Sequence, residues 1–236
     1  MMNHTVRCAL VAAAALLVAG GARADVTFSD TEFLNSGWGL DTITVGAGGT
    51  SAGTQTTGGN PGFGRQVTNN VTIGGEVYGL HRYGTTTGTR YEPILSGAVI
   101  SVDFTIDSKF ISGLGGLGHG IALGAKQGTV VYRAGFDTTG STGFWETHSS
   151  SGSTAASFVS LNGGPAINFS ATGAPIRFGF LVSNGAVNET YSNVVLYDNF
   201  RVVIHNVPAP ASAAVLMLGG LVRRSRRSRH QRQPGH

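Results

Sequence analysis

AVISVDFTID, residues 98–107, alternates without a break: Ile100, Val102, Phe104 and Ile106 fall on one face, Ser101, Asp103, Thr105 and Asp107 on the other. Successive side chains of an extended chain point to opposite faces, so a period of two over this length predicts a half-buried antiparallel strand. The rhythm returns at 175–183, where Ile176, Phe178, Phe180 and Val182 align. At 193–205 it places Leu196, Asp198, Phe200, Val202 and Ile204 on the buried side and Tyr197, Asn199, Arg201 and His205 opposite. Weaker alternation marks 26–33, 42–46, 65–73, 76–83, 120–125, 129–134, 143–147 and 157–161. Gly, Ser, Thr and Asn dominate between these runs, and helical stretches rich in Lys, Glu and Ala are missing. About ten short strands separated by turn residues predict an all-β fold: a two-sheet antiparallel β-sandwich, jelly-roll or lectin-like. No long-period repeat recurs, which excludes a solenoid or propeller. The Gly-rich passage 46–64 reads as a surface loop, and 113–120 as a tight strand connection.

Outside this domain the two ends of the chain read as addresses. Arg7 precedes an apolar stretch from Cys8 to Gly20, and Ala22-Arg23-Ala24 offers small residues where a signal peptidase reads, so cleavage is expected before Asp25. At the other end Pro208-Ala209-Pro210 leads into an apolar run from Ala211 to Val222, followed by Arg223, Arg224, Arg226, Arg227, Arg229 and Arg232. An apolar run with dense positive charge behind it follows the logic of a membrane stop whose basic end stays cytoplasmic. As a short hydrophobic helix this run reaches roughly 18 Å, against a hydrocarbon core of about 30 Å. Snorkelling arginines narrow that gap without closing it. The expected organisation is therefore a signal peptide over 1–24, a β-sandwich over 25–207 and a sorting segment over 208–236.

These addresses distort the electrostatic picture. The chain has 16 Lys and Arg, but two lie in the leader and six in the tail, leaving eight between 25 and 207 against 12 acidic residues, a net charge of −4. The domain therefore carries no basic stripe for nucleic acid. Cys8, the one cysteine, lies within the expected signal, which removes thiol nucleophiles, disulfides and Cys-type zinc sites from the domain.

Taken together, the leader and the Pro-x-Pro, apolar run and arginine cluster resemble the PEP-CTERM class of bacterial envelope proteins. That resemblance implies export across the inner membrane, transient anchoring by the C-terminal helix, processing by an exosortase and association with extracellular polysaccharide. Pro208 and Pro210 would be the recognition element, with Arg223, Arg224, Arg226 and Arg227 as stop and orientation. Within the domain, Gly59-Asn60-Pro61-Gly62, the Ile100–Ile106 and Trp145 strands, Pro175-Ile176-Arg177-Phe178-Gly179-Phe180 and the closing Tyr197-Asp198-Asn199-Phe200-Arg201-Val202 resemble concanavalin-like and carbohydrate-binding-module sandwiches. Two expectations follow: a non-catalytic envelope or matrix protein, or a calcium-dependent carbohydrate-binding module.

Catalysis finds little support in the residues. Glycoside hydrolysis needs two carboxylates flanking one bond. Glu76, Glu92, Glu146 and Glu189 are solitary, and Asp103 and Asp107 sit about 13 Å apart along one strand. No Gly-x-Ser-x-Gly elbow is present, and His81, His119, His148 and His205 have no metal-ligand spacing. Asp198 shares an apolar face with Leu196 and Phe200, and a buried carboxylate demands a partner. It reads either as a calcium ligand shared with Asp25 or Asp30, or as a carboxylate that accepts backbone N–H bonds and pins a loop. Glycan binding needs aromatic faces for sugar rings bordered by polar groups. Trp38, Tyr78, Tyr83, Tyr91, Tyr132 and Trp145 are the supply, with Asn60 and Arg65 flanking the Gly-rich passage. Trp145, Trp38 and Asn60 are the candidates for that site.

Overall fold

A computed structural model describes residues 24–85, 89–113, 118–140 and 143–207. The expected leader, apart from Ala24, and the expected sorting segment lie outside the described residues. Among the described residues twelve strands make two antiparallel sheets. The first has the order β3 (Gly49–Gly59), β4 (Gly62–Val71), β12 (Tyr191–Val207), β6 (Ala98–Ser112), β9 (Glu146–Ser153), with β1 (Ala24–Asp30) joining β12 beyond the end of β4. The second runs β10 (Phe158–Ser160), β8 (Val130–Thr138), β7 (Gly120–Gln127), β11 (Ile176–Ala186), β5 (Gly75–Tyr83), β2 (Trp38–Gly46). Helical structure among the described residues is confined to short turns such as Pro93–Ser96, and no helix there is long and apolar enough to cross a membrane.

The inner faces meet in one apolar core. Ile176, Phe178, Phe180 and Val182 of β11 all enter it, as their alternation predicts, and so do Val102, Phe104 and Ile106 of β6. Ile100 does not. The β6–β12 ladder slips between His205 and Asn206, so Val99 replaces Ile100 in the core. A β-bulge shifts the side-chain parity of the strand that carries it.

A larger slip corrects the expected faces of β12. Between Asp198 and Arg201 the register with β6 breaks, and Asn199 adopts φ +52°. Upstream of this bulge Val195 and Tyr197 face the core, and downstream Phe200, Val202 and Ile204 do. Tyr197, expected outside, is fully buried, and Asp198 lies opposite Asp107 rather than among the core rings.

The expected loop over 46–64 is instead two paired strands, β3 and β4. Glycine serves close approach here. A Cβ on Gly53 would sit 2.7 Å from Arg65 Nε and His81 Cε1, and one on Gly59 only 2.1 Å from the Phe63 carbonyl oxygen. Thr50, Thr54, Thr56 and Thr57 supply the β-prone positions between them. The strand expected at 143–147 begins later, at Glu146.

Candidate functional site

The three predicted glycan contacts sit in different settings. Trp38 is 5% exposed, stacked on Phe33 at 5.0 Å and edge-on to Phe180 and Phe200, with Nε1–H donated to Asp30 at 2.7 Å. It is a core ring with no face for a sugar. Trp145 is half-buried just before β9, and neighbouring Phe144 is exposed. Asn60 lies in the β3–β4 turn and donates Nδ2 to Asp107 Oδ2 at 3.2 Å.

Asn60 and Asp198 do come together, in a polar clasp on the outer face of the first sheet. The Asn60 N–H donates to Asp198 Oδ2 and the Asn199 N–H to Asp198 Oδ1, the latter at 2.6 Å. Asn199 Nδ2 reaches the Asn60 carbonyl at 2.9 Å and Asp107 Oδ2 at 2.8 Å, and Thr147 Oγ1 donates to Asp107 Oδ1 at 2.7 Å. Burial raises the Asp198 carboxyl above its ordinary range, helped by the negative charges of Asp107 and Asp30 and opposed by the two N–H bonds. Asp25 pairs with His205, while Asp30 accepts from Glu32, Phe33 and Trp38. Among the described residues no three His, Cys, Asp or Glu side chains form a set that could hold a metal ion. Asp198→Asn should destabilise the domain by about 1–3 kcal/mol, because backbone donors lose a charged acceptor. Melts of both forms with and without a calcium chelator separate the two roles of Asp198. A chelator that lowers only the wild-type midpoint assigns Asp198 to calcium, and indifference of both assigns it to the loop.

Tertiary geometry also builds a relay that local motifs missed. His148 Nε2 lies 2.7 Å from Ser108 Oγ, and His148 Nδ1 lies 2.7 Å from Asp137 Oδ2. This has the connectivity of an acyl-transfer triad. Ser108, however, sits within β6 at 1% exposure and His148 at 5%, so the hydroxyl is sealed from solvent. The relay ties β6, β8 and β9 together across the sandwich.

The outer face of the second sheet carries a cleft with the shape of a binding site. Side chains on this face come from Tyr78, Leu80 and Arg82 of β5, Arg177, Leu181 and Ser183 of β11, Lys126 of β7 and Arg133 of β8. Glycines 39, 120, 124 and 179 let these side chains lie flat: a Cβ on Gly124 would meet Leu80, and one on Gly39 the Arg82 guanidinium. Leu80, Val131 and Leu181 form a buried apolar cluster in the middle of this face, packed beneath Ile43, Tyr78 and Leu161.

At one end of this face the cleft, of about 560 Å³, is lined by Glu76, Tyr78, Arg133, Phe136, Ser183 and Tyr191, among others. Phe136 reaches it because of a bulge. The β7–β8 register slips between Ile121 and Leu123, Gly135 takes φ +68°, and the next ring turns outward although Tyr132 and Ala134 point in. That ring covers Gly120, whose Cβ would lie 2.6 Å from it, yet stays 61% exposed. The Arg133 guanidinium lies 5.9 Å from its centroid. Tyr78 donates its hydroxyl to Glu76 at 2.6 Å, which raises the phenol's pKa. Phe136 is invisible to periodicity, since its parity is wrong until the bulge is known.

No family model matches the chain, and no curated protein matches it. Solved structures that are similar include the family 11 carbohydrate-binding module of the cellulosomal cellulase Lic26A-Cel5E of Clostridium thermocellum, at 13% identity and TM-score 0.46, covering 79% of this chain and 96% of that one. Another is the family 11 module from the same organism in complex with a β-1,3-1,4-mixed-linked tetrasaccharide, at 14% identity and TM-score 0.46, covering 78% and 98%. A third is the xylanase 10B CBM22-1–GH10 structure from that organism, complexed with xylohexaose, at 12% identity and TM-score 0.40, covering 75% and 28%.

Proposed function

We propose that the domain is a non-catalytic carbohydrate-binding sandwich that holds polysaccharide on the open face of its second sheet. The observation that carries this reading is the exposed Phe136 ring lying over Gly120, with Tyr78, Tyr191, Glu76 and Arg133 around it. A sugar stacks its apolar C–H face on an aromatic ring and offers hydroxyls to the polar groups beside it. Among the described residues Glu76 is the one carboxylate lining that cleft, whereas glycoside hydrolysis takes two. Affinity electrophoresis of the full chain through gels carrying neutral and acidic polysaccharides tests the reading. The wild type should be retarded by at least one polymer, and Phe136→Ala should lose about tenfold or more in affinity, as stacking platforms do when truncated. Unretarded migration in every gel, or retardation that Phe136→Ala leaves intact, would overturn it.

The two termini give this binding activity a place. Export by the leader and sorting through Pro208, Pro210 and the arginine cluster would put the domain in the envelope or extracellular matrix, where exopolysaccharide is available. In a host that carries the matching exosortase, the surface-exposed form should lack the arginine cluster. Intact-mass measurement that finds Arg232 still attached would remove the processing step.

A further inference from the structure

The sheet face that carries Phe136 ends, at its other edge, in a second cleft of about 290 Å³ lined by Arg82, Arg90, Lys126 and Arg177 together with Gly128, Ala174 and Pro175. Ser183 and Arg177 stand on one strand, six residues apart, so the two clefts are separated by roughly 20 Å. The domain has eight Lys and Arg and a net charge of −4. Half of its cations nevertheless line this one cleft.

Their charge is only partly met within the protein. Arg82 and Lys126 share a single carboxylate, Asp41, with Lys126 Nζ at 2.6 Å, and Arg90 pairs with Glu92 at 2.7 Å. Arg177 donates Nη1 to the neutral carbonyl of Gly84 at 2.7 Å. The guanidinium of Arg177 is pushed down by burial first, and then by the positive charges of Arg82 and Arg90. Two cations, Arg82 and Lys126, facing the single carboxylate of Asp41 leave an excess of positive charge in a half-buried cleft, where screening is weaker than on an open surface. Asp41 fixes two of the cations from the sheet side, which presents them at set positions instead of leaving them to wave in solvent.

We propose that this cleft is an anion subsite and that the polysaccharide held on the face is an acidic one, with a carboxylate-bearing sugar seated among Arg82, Arg90, Lys126 and Arg177. This rests on the carbohydrate-binding reading and narrows it to a ligand class. Guanidinium groups bind carboxylates through paired, charge-assisted hydrogen bonds, and the spacing to Phe136 lets one chain engage both clefts. A neutral polymer would leave the cationic end unanswered.

Competition binding with the full chain tests it, using polygalacturonate as the uronic acid polymer and xylan and mixed-linkage β-glucan as neutral ones. The C-terminal arginines are common to all variants, so they cancel in comparisons between them. Wild type should prefer polygalacturonate, with affinity falling several-fold as salt rises from low to moderate ionic strength. Lys126→Gln with Arg177→Gln should lose about tenfold for polygalacturonate alone. The charge-matched control Lys109→Gln with Arg201→Gln, on the other sheet, should lose nothing. Circular dichroism melts of both double variants show whether either has failed to fold, and Arg90→Gln alone, outside the strands, repeats the test with less risk to the fold. Binding to neutral polymers that equals or exceeds binding to polygalacturonate would overturn the acidic assignment while leaving the glycan reading intact. Equal losses in the two double variants would also overturn it, and no binding to any polymer would overturn both readings.

Discussion

Replacing Trp38 by alanine should destabilise the domain by about 3–5 kcal/mol, the range for removing a large buried ring. The ring lies within 5.5 Å, centroid to centroid, of Phe33, Tyr83, Phe180 and Phe200, so few neighbours are free to collapse into the space. Two polar consequences add to the cavity. Asp30 loses the indole N–H, and the buried Arg65 guanidinium, 5.6 Å from the ring centroid, loses the aromatic face beneath it. In a domain of this size each kcal/mol moves the midpoint by about 2–4 °C, so the melt should fall by roughly 6–20 °C. Trp38→Phe keeps most of the ring but not its donor and should cost about 1–3 kcal/mol. An alanine variant that melts within a degree or two of wild type would mean Trp38 is not a core residue, and would return it to the list of glycan contacts.

Acid should weaken the fold well before carboxylates titrate, because two neutral histidines are sealed inside it. His81 is fully buried, stacked on Phe180, and its Nδ1 accepts from Arg65 Nε at 3.1 Å. A proton there would set donor against donor and charge against charge. Burial, then the charges of Arg65 and His119, hold the His81 pKa well below 6.5. His119 Nδ1 lies 3.0 Å from the Tyr197 hydroxyl and Nε2 lies 3.3 Å from the Asn193 carbonyl. Burial raises the Tyr197 phenol, which keeps it a donor, and pushes His119 down to about 4.

Both folded-state values lie below the unfolded one. The unfolded chain therefore binds protons first, and stability present above pH 6.5 is lost as pH falls toward the folded values. Each histidine contributes a slope of about 1.4 kcal/mol per pH unit in that window, and His119 alone accounts for roughly 3 kcal/mol between 6.5 and 4. Asp198, raised in the fold, works against this slope. Urea unfolding at pH 7 and pH 4.5 should show the loss, with His119→Gln showing a shallower dependence. A stability that stays level across this range would contradict neutral burial of either ring.

The sandwich was legible in the sequence where strands are regular. Residues 101–107 and 175–183 announce their faces because nothing interrupts the pleat there. Legibility ended at the bulges, each of which changes parity by one residue and leaves no mark in composition. The bulge at Asn199 moved Tyr197 inward and Asp198 outward, the one at Ile100 exchanged it for Val99, and the one at Gly135 turned Phe136 toward solvent. Glycine was the other source of error. In 46–64 it marks places where arginine and histidine side chains or carbonyls pack directly on the strand, although high glycine content by itself reads as a loop. The polar partners of Asp198 were foreseeable as a need, but Asn60 comes from the distant β3–β4 turn, which only the sheet order brings to β12. The cationic cleft was hidden for the same reason: Arg82, Lys126 and Arg177 are scattered in sequence and adjacent only because β11 runs between β5 and β7.

The most direct measurement is a heteronuclear amide NMR titration of the full chain with oligosaccharides cut from the polymer that retards it most strongly. Shifts should concentrate on Tyr78, Gly120, Arg133, Phe136 and Ser183, extend to Lys126 and Arg177 for uronic acid fragments, and spare the Asn60–Asp198 clasp on the opposite sheet. Shifts centred on that clasp or on Trp145, with the Phe136 face unmoved, would contradict carbohydrate binding at the second sheet.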